Sequence, residues 1–105
     1  MNNDNLRVPR KGDVVTIGKD TETHYILVHI VPHLDGDAYL FIKESELDNE
    51  FEKGAKFMSL EVLEQTAYTI IIPEGENCTG IIKLVPDAPS YEITMFQSFS
   101  IAPKI

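Results

Sequence analysis

Tryptophan is missing from this chain, cysteine occurs once, and basic residues are outnumbered almost two to one by acids. Each shortage removes a class of explanation. A single thiol, Cys78, cannot close an intramolecular disulfide, which agrees with a reducing compartment. The polar opening MNNDNLRVPRKGD has no apolar stretch of signal-peptide length, and later apolar runs fall well short of the roughly 20 residues needed to cross a bilayer. A cytoplasmic protein without membrane attachment is therefore expected, and the Asn77-Cys78-Thr79 match to a glycosylation pattern is read as chance. Nine Lys and Arg against 17 Asp and Glu give a formal charge of −8. A field of that sign repels phosphate backbones and anionic lipid at long range, so nucleic acid is a disfavoured partner. The six glycines are dispersed, with none opening a helix after a strand at phosphate-loop spacing, and nucleotide hydrolysis is not expected.

What is present points to one folded domain over residues 1–105, with residues 1–11 as a polar arm. A chain of this size buries roughly two-thirds of the surface its unfolded form exposes, and 43% hydrophobic with 25% charged residues is an ordinary globular composition. Residues 13–17, DVVTI, are β-branched almost throughout and predict a first strand. After a polar turn cluster at 18–23, the run HYILVHIV (24–31) predicts a central strand buried on both faces. Pro32 is expected to end it, and Asp35-Gly36 to reverse the chain into AYLFIK, which pairs back as a hairpin.

The segment 45–54, SELDNEFEKG, changes period. Leu47 and Phe51 lie four apart, Ser45 and Asp48 have capping-box spacing, and Gly54 can cap, so a short amphipathic helix is expected with its acids turned to water. Met58, Leu60 and Val62 alternate at period two, favouring a strand from 57 over a turn or two of helix. Further strands are expected at 67–72, ending at Pro73, and at 79–85, ending at Pro86. In the tail, Tyr91, Ile93, Met95, Phe99 and Ile101 share one face of a strand, with a bulge where Phe96 and Gln97 break the alternation. About seven strands and one short helix make a mainly β protein: a small antiparallel, partly open barrel or sandwich.

Three histidines, His24, His29 and His33, crowd the central strand. Residues five apart on a strand point to opposite faces, which separates His24 from His29, and Pro32 and the turn stand between His29 and His33. Neither a zinc site nor any other metal or cofactor is expected. Cys78 lies in a turn with no neighbouring base, and no catalytic residue is nominated. The conspicuous feature is the acidic run Glu44, Glu46, Asp48, Glu50 and Glu52, which Lys53 and Lys56 offset only in part. Such a patch can dock on a basic protein surface.

The expected function is a non-enzymatic acidic interaction module that regulates or inhibits a basic or nucleic-acid-binding partner protein. Two alternatives stand beside it. One is a small RNA-binding barrel that uses Arg7, Arg10 and Lys11 with exposed rings among Tyr25, Tyr39 and Phe41, whose apolar neighbours argue instead for burial. The other is a homo-oligomeric structural subunit that associates through a sheet edge or the apolar positions around Phe96.

Overall fold

The computed structural model describes residues 8–47, 56–73, 75–76, 80–95 and 98–103. Among them are eight strands: β1 (Val14–Ile17), β2 (Asp20–His33), β3 (Gly36–Lys43), β4 (Lys56–Ser59), β5 (Tyr68–Ile72), β6 (Ile82–Leu84), β7 (Tyr91–Met95) and β8 (Ser98–Pro103). One α-helix, α1, spans Leu60–Thr66. The strands form two antiparallel sheets, one of five in the order β5-β3-β2-β1-β6 and one of three in the order β4-β8-β7. The mainly β, antiparallel, partly open architecture is the expected one, with no closed barrel among the described residues.

Both faces of the five-stranded sheet carry a core. Ile26, Leu27 and Val28 are consecutive on β2 and all fully buried, which requires cover on either side. One cluster joins Val14, Ile26, Val28, Ala38, Leu40 and Ile42 of this sheet to Leu63 of α1 and to Phe99 and Ile101 of the second sheet. The other gathers Val15, Leu27, Tyr39, Phe41, Ile72 and Ile82, one or more from every strand of the five. No second layer covers this face among the described residues. Within it Tyr25 lies edge-on to Phe41 at 6.3 Å and stacks on Tyr68 at 5.7 Å.

The register of β2 against β3 holds an irregularity that alternation could not reveal. Leu27 lies opposite Phe41, but His29 lies opposite Leu40, so Val28 is an extra residue in a β-bulge. The bulge turns His29, Val31 and His33 to the face that Ile26 occupies, the reverse of what strict alternation gives. Three further expectations about this hairpin need correction. Strand structure resumes at Asp20, directly after Gly18 and Lys19, rather than at 24. Pro32 does not end β2; it pairs opposite Asp37 and the strand runs on to His33. Proline is tolerated there because β1 pairs with β2 only between Asp20 and Ile26, leaving the far half with an open edge among the described residues. The turn itself is Leu34-Asp35, and the positive φ, 142°, falls on Gly36. A Cβ at Gly36 would also stand 2.0 Å from the Ile72 carbonyl oxygen, so glycine is needed for the approach of β5.

The expected strand from 57 stops at Ser59, and Leu60 and Val62 belong to α1 instead. Ser59 is the N-cap: its Oγ accepts the Val62 N–H at 3.2 Å, and Glu61 sits favourably in the first turn. Helical rotation then puts Leu63 into the inter-sheet core and leaves Leu60 and Val62 exposed, which is why their alternation with Met58 misleads. The tail is a hairpin rather than one bulged strand, since Met95 faces Phe99 and Ile93 faces Ile101 across β7 and β8. Opposed residues of a hairpin share a face, so Tyr91, Ile93, Met95, Phe99 and Ile101 do lie together. Phe96 and Gln97 are outside the described residues.

Candidate functional site

Between the two sheets runs a polar seam. β3 ends at Lys43 and the chain enters a 3₁₀ turn over Glu44–Leu47, so the expected helix is replaced at its start by this turn. Its remainder, with Asp48, Glu50 and Glu52, is outside the described residues. Glu44 does not face water alone. Its Oε2 accepts a hydrogen bond from the Tyr91 hydroxyl at 2.8 Å, and its Oε1 lies 3.7 Å from His24 Nδ1. One carboxylate thus links β2, the end of β3 and the first residue of β7. Burial, reinforced by the hydrogen bond and charge of Glu44, pushes the Tyr91 phenol up to about 12. Glu46, two residues on, is exposed.

The bulge at Val28 places all three histidines on this inter-sheet face, contrary to the separation that alternation implied. They still do not converge. Five residues of strand hold His24 and His29 roughly 17 Å apart at a rise of about 3.3 Å per residue, and no group of three metal-ligating side chains forms among the described residues. His29 is half-buried, and its Nδ1 has no hydrogen-bond partner. Burial holds its imidazole below the ordinary histidine range, and the nearby Lys11 ammonium adds to the effect. His33 lies at the turn, where its Nδ1 accepts the Asp35 N–H at 3.3 Å with the Asp35 carboxylate 3.9 Å away.

Among the described residues two clefts bring charged side chains together. The first, about 350 Å³, lies between Arg10 and Asp13 on one side and the turn from Leu84 to Ser90 on the other, where Asp87 holds a φ of 61°. Arg10 and Lys11 are exposed, and the Arg10 N–H donates to Asp13 Oδ2 at 2.7 Å. Behind them the chain is tied into the fold, since the Gly12 N–H donates to the Leu27 carbonyl and the Tyr91 N–H to the Gly12 carbonyl. Gly12 has a φ of 95°, and a Cβ there would stand 2.0 Å from the Tyr91 oxygen. The second cleft, about 490 Å³, lies between the β2–β3 turn and the chain after β5, and Asp35, Asp37 and Glu76 all line it. These three acids were not singled out in the sequence. They are 41 residues apart at their extremes, and the Asp37–Ile72 pairing of β3 with β5 brings them to one opening.

Of the other residues singled out in the sequence, Arg7 and Cys78 are outside the described residues. Phe41 is fully buried and Tyr39 nearly so in the self-covered cluster, which leaves neither ring free to stack on a base. No helix among the described residues is long and apolar enough to cross a membrane. Comparison with protein-family models, curated proteins and solved structures gave no match.

Proposed function

We propose that the chain is a non-enzymatic interaction module that binds the basic surface of another protein and regulates or inhibits it. The observation that carries this reading is the convergence of Asp35, Asp37 and Glu76 on one concave opening of a chain with a formal charge of −8. A recess lined by carboxylates accepts a lysine or arginine side chain, and the surrounding field steers such a partner toward it. In sequence the run Glu44, Glu46, Asp48, Glu50 and Glu52 follows directly after β3 and is a second concentration of acids. Within it Glu44 hydrogen-bonds Tyr91 across the sheets, and Glu46 is exposed.

Affinity capture from a lysate at low and high salt tests this. Wild-type chain is expected to retain a basic protein at low salt and release it as salt rises. Asp35→Asn/Asp37→Asn/Glu76→Gln and a variant amidating Glu46, Asp48, Glu50 and Glu52 then divide the affinity between the two surfaces. Capture that is indifferent to salt and to both variants would remove the reading. Retention of oligonucleotides instead would favour the RNA-binding alternative.

A further inference from the structure

Five strand edges are open among the described residues, and four of them carry a feature that discourages another strand from adding. β6 is three residues long with Lys83 at its centre. β4 begins at Lys56, and β7 carries Glu92. The far half of β2 has the bulge at Val28 and then Pro32. β5 has none of these. Its sequence is YTIII, with no charge, no proline and an unbroken register against β3 from Phe41↔Tyr68 to Asp37↔Ile72. Among the described residues its outer edge has no partner strand, Thr69 is exposed, and Tyr68 and Ile71 are 51% and 39% exposed.

We propose that this edge pairs with the β5 edge of a second copy of the chain, antiparallel, about a twofold axis through Ile70. The strand is self-complementary in that register. Tyr68 falls opposite Ile72, Thr69 opposite Ile71, and Ile70 opposite its own copy, so all five residues pair and each pair shares a sheet face. Tyr68, Ile70 and Ile72 lie on the face of the self-covered cluster, and the pairing continues that cluster from one copy into the next. Two five-stranded sheets become one of ten. Residues 68–72 contribute none of the 17 acids, so no carboxylate of the paired strands opposes its own copy across the axis.

The proposal stands apart from the acidic-surface reading, and salt separates them. Screening strengthens a dimer of like-charged chains and weakens a complex with a basic partner. Sedimentation equilibrium on the full chain should show the mass rising from 11.8 kDa toward twice that value with concentration, and rising further at higher salt. Thr69→Lys/Ile71→Lys places lysines opposite lysines twice across the axis and should weaken the dimer by roughly tenfold or more. Thr69→Glu/Ile71→Lys places glutamate opposite lysine twice and should restore it. Should either variant fail to fold by circular dichroism, amide exchange on the wild type decides: protection of 68–72 should rise with protein concentration. A chain that stays monomeric at every concentration, a Lys/Lys variant that dimerises undiminished, or a monomer whose β5 takes only an added extended peptide would each overturn the second-copy assignment.

Discussion

The two faces of the five-stranded sheet bury similar numbers of large apolar side chains yet differ in kind. One is pressed against a second sheet and a helix, and along it lie the three histidines, Glu44 and Tyr91. The other closes on itself, and the polar atoms of its inner residues are the phenol oxygens of tyrosines. A face that meets a separately built layer has a seam, and a seam admits polar side chains that bridge it. A cluster drawn from one sheet alone has no such seam, and its side chains can be apolar to the centre. The pH response of this protein should therefore reside on the inter-sheet side.

Phe41→Ala should produce the largest effect and sharpen the contrast. Phe41 and Phe99 are both fully buried, one on each face, and truncating either should cost about 3–5 kcal/mol, a large part of the 5–15 kcal/mol typical of a domain. The regional readout should differ. Amide exchange should accelerate in the edge strands β5 and β6 for Phe41→Ala, because Ile72 and Ile82 pack in the cluster with Phe41, and in β4 and β7 for Phe99→Ala. Identical exchange maps would mean the faces are not independent layers.

A smaller effect, about 1 kcal/mol, is expected from Tyr91→Phe, which removes the hydroxyl bridging to Glu44 from a half-buried position. Its signature lies in alkali. The folded phenol is pushed up to about 12 from an unfolded value near 10, so the native state favours the neutral form. That stabilisation is complete below pH 10 and is lost as pH rises from 10 through 12. Denaturant midpoints measured across this range should fall for the wild type and lose that component of the fall in Tyr91→Phe.

His29→Leu should act in the opposite direction and least of all near neutrality. It removes a buried nitrogen that has no partner, for a gain of up to about 1 kcal/mol. With the folded imidazole held below its ordinary value, the neutral form is favoured. The wild type keeps that stability above pH 6.5 and loses it as pH falls through the folded value. The variant's advantage should widen from pH 8 to pH 5 in thermal melts, and a constant difference would show that His29 does not titrate in a buried setting.

How far the sequence reveals this division depends on the length over which each cause acts. The run from His24 to Val31 announces a strand because large apolar residues fill consecutive positions, and burial on both faces holds for Ile26, Leu27 and Val28 while Val31 is exposed. The β2–β3 hairpin is likewise local, although its turn lies one residue earlier than Asp35-Gly36 suggests. In α1, Ser59 and the spacing of Leu60, Leu63 and Ala67 encode a helix, but Met58, Leu60 and Val62 fit a strand over the same few residues. Seven residues offer too little periodicity to choose, and the burial of Leu63 under the sheets decides. Glu44 and Tyr91 are 47 residues apart, and no pattern short of the assembled sheets joins them. The bulge leaves no mark in composition, since valine suits a regular strand equally well.

That added residue at Val28 acts as a phase shift in the middle of the longest strand. Downstream of it every odd position trades places with every even one, so Ile30 packs into the aromatic cluster and His29 into the seam. Excising that valine would leave Leu27 opposite Phe41 and His29 opposite Leu40 in an unbroken ladder, so every side chain downstream would keep its face and the loss would be confined to one apolar plug in the inter-sheet core.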